Sequence, residues 1–113
     1  MKENMKTQVR LWLDDNRNPV KFGCVGWMWV KTYDDAISAF KTYDVIEASL
    51  DHDLGVQSTL GMVGHHEKTG YDVVCWLEEN GIYPVDGIKV HSMNPIGRKN
   101  MLKGIEQIKK MVK

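Results

Sequence analysis

The sequence is short of the features that mark secreted, membrane-spanning or nucleic-acid-coating proteins. It has two cysteines, Cys24 and Cys75, far apart in the chain. A secreted domain of this size stapled by disulfides carries more, so both are read as reduced thiols of a cytosolic protein. No apolar run approaches the roughly 20 residues needed to cross a bilayer. The polar opening MKENMKTQ has no apolar stretch behind it of signal-peptide length. Lysine plus arginine and aspartate plus glutamate balance at 15 each, which leaves no basic excess for general double-stranded DNA binding. Gly55, Gly61, Gly64 and Gly70 form no phosphate-loop pattern, and no Lys-Ser/Thr pair follows them. Repeats and low-complexity tracts are also missing. These absences predict a soluble cytoplasmic protein with no membrane partner.

What is present suits one small domain. The chain has 113 residues, of which 42% are apolar, and the four tryptophans are read mainly as core. Residues 1–8 are expected to form a disordered tail and residues 9–113 a single domain. VRLWLDD, GWMWVKT, VIEASLD and GIKVHS read as four short strands. Thr32 and Thr69, each with Asp three positions on, read as helix N-caps. Ala36, Phe40 and Tyr43 mark the buried side of the first helix, and Val73, Val74 and Leu77 that of the second. Gly81 ends the second helix. Asn94 caps a third, with Pro95 in its first turn and Met101, Ile105, Ile108 and Val112 along its buried stripe. Strands alternating with helices predict an α/β fold: a small three-layer sandwich on a mainly parallel sheet of about four strands, with helices on both faces. The segment 56–68 lacks periodicity and is expected to be a binding loop or lid.

Ligands of open parallel sheets bind outside the carboxyl ends of the strands. Three predicted strands end there in polar groups: Asp14-Asp15, then Asp51-His52-Asp53, then His91-Ser92 with Asn94 close behind. A single Asp at a strand end is commonly a turn former; three such ends on one edge are better explained by a pocket. Four carboxylates gathered there would raise one another's pKa values. A divalent cation on Asp14, Asp15, Asp51 and Asp53 relieves that repulsion, and oxygen donors favour Mg²⁺ or Mn²⁺. Arg17 can pair with a carboxylate or clamp a phosphate. His65-His66 reads as a solvated loop dipeptide, and the lysines after Arg98 as a solvated helix face.

Taken together, LWLDDNRNP, SLDHDLG, TGYDVVCWL and HSMNPIGRKNM resemble the cyclic-phosphate-processing receiver-like domain, a divergent branch of the response-regulator receiver fold, over about residues 9–112. The resemblance implies a receiver/flavodoxin-like architecture. It aligns Asp14 and Asp15 with the receiver acid pair, Asp51 (or in another alignment Asp53) with the acid after the third strand, and Ser92 with the phosphoryl-contacting hydroxyl. The fifth strand and its lysine find no counterpart in this reading, since Lys89 falls in a strand and Lys99 in a helix. The implied activity is a metal-dependent phosphoesterase acting on cyclic phosphates of nucleotides or RNA ends. In it Asp51, His52, His91 and Arg17 are the catalytic candidates, and Arg17, Ser92 and Asn94 would hold the substrate. Two other readings stay open: a signalling module phosphorylated on Asp51, and a protein that binds a cyclic nucleotide without cleaving it.

Overall fold

A computed structural model describes residues 6–54 and 68–112 of the chain. Strand β1 runs Gln8–Leu13, β2 Met28–Val30, β3 Asp44–Leu50 and β4 Ile88–Val90. Helix α1 runs Tyr33–Thr42, α2 Gly70–Asn80 and α3 Pro95–Val112. The four strands pair in the order β2-β1-β3-β4, and every pair is parallel. The expected lid, 56–68, and the His65-His66 pair fall almost wholly outside the described residues, which resume at Lys68.

The local signals act as their chemistry dictates. Thr32 accepts a hydrogen bond from the Asp35 N–H at 3.1 Å and starts α1. Thr69 and Asp72 form a reciprocal capping box at the start of α2. Gly81 ends that helix at φ 62°, a conformation that costs glycine nothing. Asn94 caps α3, its Oδ1 accepting from the Gly97 N–H at 2.9 Å. Removing a cap of this kind costs about 1 kcal/mol. Thr69→Ala is therefore expected to lower the free energy of unfolding by about that much in a urea titration, with the slope unchanged.

Side chains alternate across a strand. Leu11 and Leu13 of β1, with Ala48 and Leu50 of β3, join one buried cluster with Ala36 and Phe40 of α1, Val73, Val74 and Leu77 of α2, and Met101, Ile105 and Ile108 of α3. All three helices therefore share one face. Right-handed crossovers require this of α1 and α2, because β2-α1-β3 and β3-α2-β4 step across the sheet in the same direction, and α3 packs beside α2. The β1-to-β2 connection steps the other way, and it holds one 3-10 turn, Pro19–Phe22, where a covering helix is expected. Pro19 and two left-handed glycines, Gly23 and Gly26, leave no room for a longer helix. The second face is thus covered thinly. Trp12 is buried there, stacked on Phe22 with ring centres 5.6 Å apart. Farther down the same face, buried Glu47 pairs with both Arg10 and Lys89. Val112, expected in the buried stripe of α3, is exposed in the helix's last turn.

Candidate functional site

The sheet itself sets the site. Its ladder continues one residue beyond the strands at their carboxyl ends. The Asp14 N–H donates to Val30 O at 3.1 Å, the Asp51 N–H to Leu13 O at 2.9 Å, and the His91 N–H to Leu50 O at 3.0 Å. Asp14, Asp51 and His91 are therefore neighbours in one row, fixed by backbone bonds. Carboxylate oxygens of Asp14, Asp15 and Asp51 lie within 4.8 Å of one another. Asp14 and Asp51 are buried and Asp15 is exposed. Asp53, expected to join them, is not in this group. It lines the same cleft, of about 300 Å³, with the three acids, Arg17 and Met93. A larger hollow of about 850 Å³ opens at the opposite end of the strands, beside Gln8, Asp44 and Tyr83. It gathers no comparable cluster, so chemistry rather than size identifies the site.

Asp14 is the most constrained acid. Its Oδ1 accepts the N–H groups of Asn16 and Arg17, each at 2.9 Å. Its Oδ2 receives Arg17 Nε at 3.0 Å and His91 Nε2 at 3.0 Å. The other arm of the Arg17 guanidinium reaches Asp51 at 3.4 Å. Arg17 thus pairs with two of the three carboxylates. Burial and the neighbouring Asp14 charge hold the Asp51 carboxyl above its ordinary 3.8. Asp53 moves the other way: a 2.8 Å bond from His52 Nδ1, helped by Asn94, pulls its carboxyl down.

The two histidines sit in different settings. The His52 ring rests against Gly97 in the first turn of α3. A Cβ at Gly97 would come within 2.5 Å of that ring, so only glycine lets it lie there. His91 is stacked on Trp12, with centres 3.9 Å apart and planes 6° apart. Both its nitrogens are engaged, Nε2 by Asp14 and Nδ1 by Ser49 Oγ at 2.8 Å. Burial pushes its pKa below 6.5, so its neutral form is favoured. Ser92 is buried, and its Oγ accepts the Asn94 N–H at 3.0 Å. Asn94 spans from α3 to Asp53, its Nδ2 3.4 Å from Oδ1.

Three residues of this site carry no signal in the motifs alone. The Trp12 indole donates to Arg17 O at 2.8 Å and the Trp29 indole to Asp14 O at 2.7 Å. Together they pin both ends of the turn that presents Asp14, Asp15 and Arg17. Ser49 holds His91. Composition marks the tryptophans as core; their indole N–H groups need partners when buried, and that need was the available clue. Lys89, the strand lysine nearest the site in sequence, is committed to Glu47. Among the described residues no fifth strand follows β4.

A family model described as the cyclic-phosphate processing receiver domain matches residues 9–107. No curated protein and no solved structure matches the chain.

Proposed function

This chain belongs to the cyclic-phosphate processing receiver domain family, and on that premise we propose that it is a divalent-metal-dependent phosphoesterase that opens cyclic phosphates on nucleotides or RNA ends. One observation carries the reading: carboxylates of Asp14, Asp15 and Asp51 converge within 4.8 Å, and the Arg17 guanidinium pairs with the first and last of them. Donor chemistry fits a cation. All three groups are hard oxygen donors, suited to Mg²⁺ or Mn²⁺, and two of them are too buried to be neutralised by water alone. Asp14, Asp15 and Asp51 would hold the ion. Bound there, it would supply Lewis-acid stabilisation of phosphoryl charge and a more acidic water.

The chain's own residues divide the remaining work. A carboxylate offers about four acceptor positions, and the four bonds made by Asp14 fill them. Arg17 holds the one most readily exchanged, since its side chain is 30% exposed. Displaced from Asp14 and Asp51, its guanidinium is placed to take two phosphoryl oxygens in its fork. Asp53 orients His52 through Nδ1, which leaves Nε2 to move the proton. Ring opening adds one water to phosphorus, breaks one P–O ester bond and needs a proton on the departing sugar oxygen, and an imidazole can deliver it near neutral pH. Asn94 and Ser92, at the head of α3, would hold the remaining phosphate oxygens, aided by the positive end of the helix.

The test is incubation with 2′,3′-cyclic nucleotides and with RNA carrying a cyclic-phosphate end, in Mg²⁺ and in Mn²⁺. The expected products are ring-opened phosphomonoesters, lost with EDTA and in Asp15→Asn. Unchanged ligand recovered from a tight complex would replace the enzyme with a binding protein. A stable adduct on Asp51 after acetyl phosphate treatment would replace it with a signalling module.

A further inference from the structure

Ser49 is a buried hydroxyl near the carboxyl end of β3, with Trp12 of β1 and Lys89 of β4 as its register partners. It lies on the face away from the helices, one pleat below Asp51. A serine there adds little to packing, and burying a hydroxyl costs free energy unless it is hydrogen-bonded. Its partner is His91 Nδ1, at 2.8 Å. The far side of the same ring meets Asp14 Oδ2 at 3.0 Å.

Hydrogen-bonding roles along this chain follow from its end. Asp14 is a fully buried carboxylate that accepts from its other partners, so Nε2 must bring the hydrogen. A neutral imidazole then presents a bare Nδ1, and the Ser49 O–H donates to it. Trp12, stacked on the ring, fixes the plane of the imidazole but not which nitrogen carries the hydrogen. The two hydrogen bonds, one at each nitrogen, fix the ring's orientation within that plane.

We propose that Ser49 is a positioning residue of the acidic centre: its hydroxyl anchors Nδ1 of the His91 ring, whose Nε2–H tautomer Asp14 imposes, and the anchored ring in turn orients the Asp14 carboxylate for a divalent cation. The proposal rests on the metal-dependent reading above for its last step, and on geometry alone for its first. Partners that orient a metal ligand from behind typically change metal affinity 10–100-fold when removed.

Two measurements separate these steps. In the metal-free protein, ¹⁵N–¹H correlation of the His91 ring, assigned by its loss in His91→Gln, is expected to show a protonated Nε2 and an acceptor Nδ1. In Ser49→Ala the ring is expected to keep its Nε2 proton while the Nδ1 resonance shifts as its hydroxyl donor is lost, and Mn²⁺ titrated by electron paramagnetic resonance to bind about tenfold more weakly. Ser49→Thr, which keeps the hydroxyl, is expected to restore both. A protonated Nδ1 in the wild-type chain overturns the proposal without any variant. So does a Ser49→Ala ring identical to the wild type, or a Thr variant as weak as the Ala variant. A shifted Nδ1 resonance with unchanged Mn²⁺ affinity overturns the link to Asp14. If the wild-type chain binds no Mn²⁺, the phosphoesterase reading and that last link both fall, while the ring measurement still decides whether Ser49 sets His91.

Discussion

Asp51→Asn is expected to abolish divalent-cation binding and, with metal removed, to raise the melting temperature at pH 7. The two effects share one cause. Asp51 is buried beside Asp14, and both circumstances lift its carboxyl above 3.8. A raised acid binds more protons folded than unfolded, so folding stability falls as pH rises from about 3.8 through the raised value. At pH 7 the folded chain therefore carries the full cost of that ionised group. Asparagine removes the charge and keeps an oxygen to accept the His52 N–H, as Asp51 Oδ1 does at 2.8 Å. The lost Arg17 contact is long, at 3.4 Å, and made by a partly exposed guanidinium, so it offsets little. Melting curves in EDTA should show the variant above the wild type at pH 7 and level with it near pH 3. Mn²⁺ affinity should drop at least about 100-fold, since even outer partners of a ligand are worth 10–100-fold. A variant that melts lower in EDTA at pH 7 would mean that Arg17, not repulsion from Asp14, dominates the Asp51 charge.

Gly70→Ala is expected to be among the most damaging conservative changes in the chain. Gly70 opens α2, and its N–H donates to His52 O at 3.0 Å. A Cβ there would lie 1.9 Å from the carbonyl oxygen of Asp51 and 2.9 Å from its carbonyl carbon. Both atoms are backbone, so no rotamer change relieves the clash. Either α2 retreats from the sheet or the end of β3 moves, and that end carries Asp51 and His52. Overpacking of this kind costs about 1–3 kcal/mol or somewhat more. For a domain of this size that is a fall of roughly 4–8 °C in melting temperature per kcal/mol. Mn²⁺ binding should weaken with it, because the ligand set is displaced. A variant with wild-type melting and wild-type Mn²⁺ affinity would show that α2 can shift without disturbing the strand end.

The parts legible in the sequence are those governed by neighbours along the chain. Thr69 with Asp72, Gly81, and Asn94 with Pro95 announce helix ends because caps are made within three or four residues. The apolar runs VRLWL and VIEASL announce buried strands, and their polar ends fall together because parallel strands share a carboxyl edge. The meeting of Asp14, Asp15 and Asp51 follows from that once β1 and β3 are neighbours. Legibility fails where the answer depends on which strands are adjacent. Both long crossovers step the same way only once the order β2-β1-β3-β4 is known, so a helix layer on each face was a reasonable expectation that a lone 3-10 turn replaces. Asp53 lies two residues beyond Asp51 with the right chemistry and lines the same cleft, yet its carboxylate bonds to His52 and Asn94 and is not in the cluster of Asp14, Asp15 and Asp51. Ser49 reads as one more strand residue until His91 is brought across from β4. Val112 keeps helical spacing after the helix has run past anything to pack on.

All strand pairing here is parallel, and this bears on how the chain acquires its shape. Among the described residues no hairpin is present to start the sheet. Arg10 and Glu47 are 37 positions apart, and Glu47 and Lys89 are 42, so each new strand must close a long loop before it gains a ladder bond. Topologies of this sort assemble slowly for their size. A chain emerging from the ribosome would hold β1 without its β3 partner until more than a third of the sequence had been made. The edge strands β2 and β4 are only three residues each, which gives a half-built sheet little on which a second chain could template.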